Sequence, residues 1–436
     1  MRKSLIVGIL KESRNHRERR APLTPSDVKW LVDRKIEVEV ESSPRRIFKD
    51  EDYRRSGGKI LDKLDKAALI VGIKGPDPDK IRRNRVYMVF SHTIKGQPYN
   101  MPLLEKLLES GATLVDYEKI VDPHGRRIVS FGRFAGITGI VDSLFYLGKK
   151  LKWKGIDNPF VQLKPSWEYR SLDQVKQDMR KIDKIIRRKG FDGGISPFII
   201  GIIGHGNVSK GVQEALGSLN PVEIHPHDMS RFIRHQKYMH NEIYKIVFLR
   251  EEKFRTGNRK GFYFEEYIER PDRFESNLDK YLAHLNMLIN ASYWDKRYPR
   301  MVTKPMVKKL CRNRNFRLEF IGDISCDIGG SIEFTHKTTT QDNPVFTYDP
   351  EKDKYTDGYK SEGITVLAID NLPSELPEDS SEHFSGLIRD YVYQIAVHGA
   401  KDITNHAAIP REIRQAVITQ GGRLAESCLY LKKQLS

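Results

Sequence analysis

Short aliphatic runs alternate with stretches of helical periodicity along most of the chain, the pattern of mostly parallel sheets with helices packed on their faces. The first run, SLIVGIL (4–10), reads as a strand. Thr24, Pro25 and Asp27 then offer a cap, a first-turn proline and a first-turn acid for a helix running to about Arg34. IEVEVE alternates with period two, a short polar helix opens at Asp50, and ALIVGI (68–73) and VYMVFS (86–91) are the next two strands. The helix MPLLEKLLESG and the strand ATLVDYE complete this first block.

The texture changes after Gly132. RFAGITGIVDSLFYLGKKL is apolar on nearly every side, which predicts a buried helix, and Leu172 to Lys189 follows as an amphipathic, basic one. FIIGIIGHGNVSKGVQEAL begins a second α/β block, with later strands at VEIH (222–225), YKIVFL (244–249), MLINAS (287–292), RLEFIGDIS (317–325) and ITVLAID (364–370). The polar segment 336–363 is long for a plain loop in a compact domain and predicts a hairpin. A final amphipathic helix starts at Ser380.

At 436 residues the chain exceeds one ordinary core, so two domains are expected. The first aliphatic run meets Lys11 and Glu12 too soon for a signal peptide. No stretch approaches the roughly 18 apolar residues of a membrane span, so no membrane partner is expected. Cys311, Cys326 and Cys428 show no CxxC or finger spacing, which fits a reducing cytoplasm and predicts no metal site. The formal charge of +17 is spread in short clusters, at Arg82 to Arg85, Lys149 to Lys154 and Lys184 to Lys189, each interleaved with apolar residues. It reads as a solvated surface with some steering of anions, and no nucleic-acid partner is expected.

Two strand ends carry chemistry. VYMVFSHTIKGQ stops abruptly on His92 and Lys95, and loops after strand ends are where a rigid sheet holds functional groups. FIIGIIGHGNVSKG runs a strand directly into Gly204, Gly206 and a helix that opens on Asn207 and Val208, the context a dinucleotide fingerprint requires. Gly204 permits the tight turn, and Gly206 admits a pyrophosphate to the helix N-terminus. Ser209 stands in place of the third glycine and is small enough for close packing. Sites selective for NAD carry an acid roughly 20 residues on, at the end of the second strand. Here that strand, VEIHPHD, ends at His225, with Glu223 inside it and Asp228 beyond. With Lys210, Arg231 and Arg234 nearby, NADP(H) is favoured and NAD(H) stays possible.

Several stretches together resemble one family: RERRAPLTP (17–25), GIKGP (72–76), FSHTIKGQ (90–97), VDYEKIVDPHGRRIVSFG (115–132), GHGNVSKG (204–211), NASYW (290–294), GDISCDIGGSIEF (322–334) and AIDNLPSELP (368–377). They are similar to the lysine-ketoglutarate reductase domain of α-aminoadipic semialdehyde synthase, a relative of saccharopine dehydrogenase and, more distantly, of alanine dehydrogenase. The resemblance covers nearly the whole chain in one order and reaches no second catalytic domain, which suggests a stand-alone reductase. It implies an α/β fold of two Rossmann-like domains around a cleft. Residues 1–133, completed by 371–436, would form the substrate domain, and 134–370 the dinucleotide-binding one.

The same resemblance implies an oxidoreductase that condenses L-lysine with 2-oxoglutarate and reduces the imine with NADPH to saccharopine. A separate saccharopine-consuming enzyme is then a possible partner. Amine attack and loss of water both need a group that exchanges protons near neutrality, and the positions matching the family's acid/base pair are Lys74 and His92. Arg20 matches the substrate arginine, guanidinium being well shaped for carboxylates. Arg127 or Arg126 is a second carboxylate ligand, and Lys95 either a further one or an electrostatic neighbour. Glu118 matches an acid that orients Lys74 or the amine, or else makes an ordinary ion pair. Asp327, Asn290 and Tyr293 would approach the cofactor. Arg133 stands where the family usually has an uncharged residue and takes no role. A related amino-acid or opine-type dehydrogenase with another amine and keto acid, or running oxidatively, is the alternative. A non-catalytic nucleotide-sensing or nucleic-acid-binding protein is a third reading, which intact Lys74, His92 and Arg20 argue against.

Overall fold

Parallel strands collect their carboxyl ends on one edge of a sheet, and this chain builds two such edges. The computed structural model describes residues 4–13, 17–256, 262–399 and 402–435. The first sheet is built from β1 (Val7–Ile9), β2 (Val38–Glu41), β3 (Lys59–Leu61), β4 (Leu69–Lys74), β5 (Val86–Phe90) and β6 (Thr113–Asp116), all parallel, in the order β3-β2-β1-β4-β5-β6. The second sheet begins with β7 (Phe198–Ile203), β8 (Val222–Glu223) and β9 (Ile243–Phe248). A separate antiparallel ribbon, β10 (Phe254–Thr256) with β11 (Phe274–Ser276), interrupts it. It continues with β12 (Met287–Asn290), β13 (Phe320–Asp323), β14 (Val345–Asp349), β15 (Lys354–Asp357) and β16 (Ile364–Leu367), and the order is β8-β9-β7-β12-β13-β16-β14-β15. Finally β17 (Val417–Gln420) and β18 (Arg423–Leu424) return to the first sheet, antiparallel beside β6.

The chain divides into two units, one running to Phe131 and resuming at Pro377, the other Gly132–Leu376. The break expected at 133 falls inside the first turn of helix Gly132–Trp153, and the 3₁₀ turn Leu372–Glu375 belongs to the second unit rather than the first.

In the first unit, helix Pro377–His398 ties down the segment that carries Arg20. Ser381 Oγ accepts from Ala21 N at 2.9 Å, Ser385 Oγ accepts from Thr24 N at 3.0 Å, and Arg389 pairs with Asp27 at 3.1 Å. Thr24 caps helix Pro25–Asp33 by accepting from Asp27 N, as its sequence predicts. The helix expected from Ser380 thus starts three residues earlier, and it is not the last element. β3, β17 and β18 were not legible because each is only two to four residues long.

In the second unit all six residues of β7 are buried, as for a strand covered on both faces. Helix Leu172–Lys189 buries Leu172, Val175, Met179, Ile182 and Ile186 at helical spacing, capped by Ser171. The polar segment contains the expected hairpin, β14 with β15. One reading is corrected. VEIH forms only the two-residue, exposed β8, and β8 is the outermost strand, so the sheet neighbour of β7 is β9.

The phosphate-loop helix, Asn207–Leu216, is held by direct backbone contact with helix Gly132–Trp153. A Cβ on Gly211 would lie 1.9 Å from Arg133 O, and one on Gly136 2.0 Å from Val208 O. Arg133 adds a bidentate pair with Glu214, both bonds 2.7 Å, joined by Lys176 at 2.9 Å. The Arg133 hydrogen bond, more than any other cause, holds the Glu214 carboxyl below its ordinary range. The helix–helix contact therefore rests on Gly211, two residues beyond the buried Ser209, and Arg133 has a structural role that the family resemblance does not imply. Gly211→Ala forces two helix backbones apart, and thermal unfolding is expected to show a loss of about 1–3 kcal/mol.

Candidate active site

β4, β5 and β6 end side by side, and the acid/base candidates lie at these strand ends or two residues beyond them. β1 stops at Ile9 while β4 runs on to Lys74. The register of β4 against β5 shifts between Val71 and Lys74, a bulge that turns two successive N–H groups toward Glu12. The Glu12 carboxylate accepts from Ile73 N at 2.7 Å and from Lys74 N at 3.2 Å, taking over where the ladder to β1 runs out. Glu12 as a residue is half-buried, with its carboxylate turned onto this strand end. Burial pushes that carboxyl up to about 7, the Glu18 charge adding to the rise while the two N–H groups and Arg20 oppose it.

His92 follows β5 in the left-handed region, at φ 58°. A non-glycine residue pays a conformational penalty there, so the surroundings must hold it. Asp116, wholly buried at the end of β6, does so: its carboxylate accepts from Ser91 N at 3.0 Å, from the Ser91 hydroxyl and from Glu118 N at 2.7 Å. One side chain thereby locks the end of β5 to the end of β6. Asn100 Nδ2 donates to His92 O at 3.1 Å, and the imidazole stacks on Phe90. From the other side Tyr430 donates to Ile94 O at 2.7 Å, so the C-terminal segment buttresses the same loop.

His92 Nδ1 lies 3.3 Å from Glu118 Oε2, and Arg127 reaches Glu118 Oε1 at 3.0 Å. Burial alone would raise the Glu118 carboxyl, but the His92 hydrogen bond and the charges of His92, Arg127 and Lys95 hold it below the usual range. Arg126 turns away to Asp122 at 2.6 Å. Lys95 is exposed on the turn beside this cluster. Arg20 is buried and gripped by Glu18 through two bonds, 2.7 and 2.6 Å, with its guanidinium 4.1 Å over the Phe131 ring. Phe131 stacks on Phe384 at 4.4 Å and touches Phe90, which links Arg20 to the ring that carries His92. The structure thus gathers His92, Glu118, Lys95 and Arg127, sets Lys74 on the neighbouring strand end, and joins Arg20 through aromatic contacts. Nothing in the hydrophobic pattern marks Glu12, Glu18 or Asp116. The only signal available is an acid two residues from Arg20 and another two residues from Glu118.

In the second unit Gly204 has φ +112°, and a Cβ there would lie 2.6 Å from Ala291 O, so both conformation and space demand glycine. Gly206, the N-cap of Asn207–Leu216, is the opposite case. A Cβ there would meet nothing within 4 Å, leaving the helix N-terminus open to a pyrophosphate. His205, Gly206 and Asn207 are exposed and Val208 half-buried on this rim. The residues present therefore fit a dinucleotide.

The remaining cofactor candidates are less uniform. Asn290 is buried, and its amide nitrogen faces Asp323 Oδ1 and Ser331 Oγ at 2.8 Å and Ser325 Oγ at 3.1 Å, so this side chain braces the loop after β12 from within. Burial raises the Asp323 carboxyl despite bonds from Thr335, Ser325 and Asn290. Tyr293 is 84% exposed on that loop, and Asp327 is exposed after the left-handed Cys326. His225 follows β8, a strand away from β7, and Glu223 is turned onto Lys245 at 2.8 Å. Among the described residues no group of His, Cys, Asp or Glu could hold a metal ion, and no helix is long and apolar enough to cross a membrane.

Comparison with known proteins gives the family and the fold. Residues 8–138 match the family "Alanine dehydrogenase/PNT, N-terminal domain" and residues 191–427 match "Alanine dehydrogenase/PNT, C-terminal domain". The chain is 33% identical over 445 residues to an alpha-aminoadipic semialdehyde synthase of Arabidopsis thaliana, covering 98% of this chain and 41% of that protein. It is 27% identical over 387 residues to a saccharopine dehydrogenase [NAD(+), L-lysine-forming] of Emericella nidulans, covering 87% of this chain and 89% of that protein. Among solved structures an L-alanine dehydrogenase superposes with a TM-score of 0.64 at 19% identity, covering 99% of this chain and 100% of the other, which establishes the fold.

Two expectations follow from these strand ends. Gly206→Ala should keep the thermal stability of the parent, since the new methyl meets no protein atom. It should weaken binding of a nicotinamide dinucleotide about tenfold or more in a titration, because the methyl occupies the approach to the helix N-terminus. Glu12 holds its proton more firmly when folded than its ordinary value of 4.5 implies, so its share of stability is complete below that value and is lost as pH rises through about 7. Melting curves of Glu12→Gln and the parent, compared from about pH 5 to about pH 8, should therefore shift in favour of the variant as pH rises.

Proposed function

This chain belongs to the alanine dehydrogenase/PNT family, and we propose that it joins the ε-amine of L-lysine to the keto carbon of 2-oxoglutarate and reduces the resulting imine with NADPH to saccharopine. The names of its relatives supply the substrate class. The observation that carries the reading is the cluster of His92, Glu118, Lys95 and Arg127 beside Lys74 at one sheet edge.

The reaction needs a base for the lysine ammonium, an acid for the carbonyl oxygen and cations for three carboxylates. His92 takes the amine proton, with Glu118 at Nδ1 fixing the orientation of the ring. The amine nitrogen then bonds to the keto carbon while the Lys74 ammonium protonates the oxygen. The neutral Lys74 amine takes one proton from the nitrogen, and the hydroxyl leaves as water with the proton returned by His92, which gives the protonated imine. When bound, the nicotinamide supplies the hydride for the imine carbon. Glu12 fixes the backbone of Lys74, and Asp116 that of His92, so neither group searches for its position. Arg20, already oriented by Glu18, Arg127 and Lys95 bind the carboxylates.

NADPH is favoured over NADH by the cations the second unit offers, the acid at the end of β8, Glu223, being already paired with Lys245. Lys210, Arg231 and Arg234 have no ion-pair partner among the described residues. In this reading Asn207, Val208, His225, Tyr293 and Asp327 line the cofactor, with Asn290 supporting them from below.

The test is NADPH oxidation followed by absorbance, with lysine and 2-oxoglutarate together and each omitted in turn. Turnover should require both. It should fall by about 10²–10⁴-fold in His92→Ala and Lys74→Ala proteins that still bind NADPH. Turnover with a different amine or keto acid, and none with this pair, would point to the opine-type alternative.

A further inference from the structure

The two strands that flank β7 are β12 and β9. Six residue pairs hold β7 and β9 in parallel register, from Phe198 opposite Ile243 to Ile203 opposite Phe248. One step further, Gly204 is level with Leu249, and the chain then enters a one-turn helix, Arg250–Lys253. In a doubly wound nucleotide fold, the group that tells a ribose hydroxyl from a ribose phosphate stands at the carboxyl end of the strand beside the phosphate-loop strand. By chain order that strand would be β8. By position in this sheet it is β9.

Two cations meet at this point. The Arg250 guanidinium lies 4.7 Å over the Phe264 ring and 5.8 Å from that of Tyr267, and it has no ion-pair partner among the described residues. A guanidinium stacked by its face keeps its edge N–H groups free to fork onto an anion. Lys253 is only 4% exposed, yet its ammonium makes a single long hydrogen bond, 3.4 Å, to Ser292 Oγ. Ser292 borders the phosphate turn: its Cα is 3.3 Å from where a Gly204 Cβ would lie. Burial first, then the Arg250 charge, push the ammonium down to about 8, while Glu251 and Glu252 oppose. Glu251 is exposed, Glu252 is half-buried, and neither forms an ion pair with these cations. A buried ammonium with one weak acceptor beside a second cation is costly unless an anion completes it.

We propose that Arg250 and Lys253 form the subsite for the ribose 2′-phosphate of NADPH, and that they, rather than the His225 segment with Arg231 and Arg234, set the preference for the phosphorylated nucleotide. This rests on the NADPH reading above. Arg250 forks onto the phosphate from its aromatic support, and Lys253 adds the buried charge on the side of the phosphate turn.

The experiment is calorimetric titration of the full chain with NADPH, NADH and adenosine 2′,5′-bisphosphate. The parent should bind NADPH more tightly than NADH by about tenfold or more. Arg250→Ala should lose about 10- to 100-fold for NADPH and the bisphosphate and less than about threefold for NADH, with Lys253→Met showing the same selective loss. Retained NADH binding shows that each variant is folded, and Arg250→Lys, which keeps charge without the fork, should fall between. If the parent prefers NADPH and both Arg250→Ala and Lys253→Met keep that preference, while Arg231→Ala or Arg234→Ala abolishes it, the assignment is wrong and the cofactor reading stands. A parent that binds both nucleotides equally removes the cofactor reading and this assignment with it.

Discussion

Parallel pairing is the constraint on which everything else here depends. Strands that run the same way must be joined by crossovers, and their carboxyl ends then accumulate on one edge, where the exits of several segments lie within a few ångströms of one another. In the first unit this places Lys74, His92 and Glu118 on three consecutive strand ends. In the second it places the Gly204 turn between Leu249 and Ala291. Side chains far apart in sequence become neighbours without any dedicated interaction between them.

Holding those ends to a fixed geometry is a separate task, and buried carboxylates perform it. Glu12 extends the ladder of β1 by accepting two N–H groups of β4, and Asp116 joins β5 to β6 by accepting from Ser91 and Glu118. Asp323 does the corresponding work beneath the loop after β12. Each carboxyl is raised by burial and each recovers part of that cost through backbone or hydroxyl donors. The groups proposed to act on the substrates, His92 and Lys95 above all, keep access to solvent. Desolvated acids thus hold the backbone from which the more exposed His92 and Lys95 project, a division of labour that fits the proposed carboxylate substrates.

Much of the architecture was legible because long periodic segments leave little choice. Leu172 to Lys189 was read to the residue, and the six-residue aliphatic run of β7 announced the phosphate loop. Strands of two to four residues carry too few positions to show a period, which is why β3, β17 and β18 were missed and VEIH was overestimated. Of the site, His92 was visible as an abrupt end to a strand, and Lys74, Arg20, Glu118 and Arg127 through family resemblance. The supporting acids were not, since an acid beside a cation in sequence is ordinary.

What the sequence determined alone is the alternation of strands and helices, the phosphate turn with its two glycines, and the identity of the chemical groups available. These are local properties, set by backbone conformation and by periodicity along a few residues. The tertiary structure decided which strand lies beside which. Chain order suggested that β8 would flank β7, whereas packing set β9 there and brought Arg250 and Lys253 to the phosphate turn. It also decided that Gly211 rather than Ser209 carries the helix crossing, because contact between Arg133 and Gly211 joins segments nearly eighty residues apart. Strand neighbours are chosen by the burial of whole faces, a sum over the entire core, and no window along the chain contains that sum.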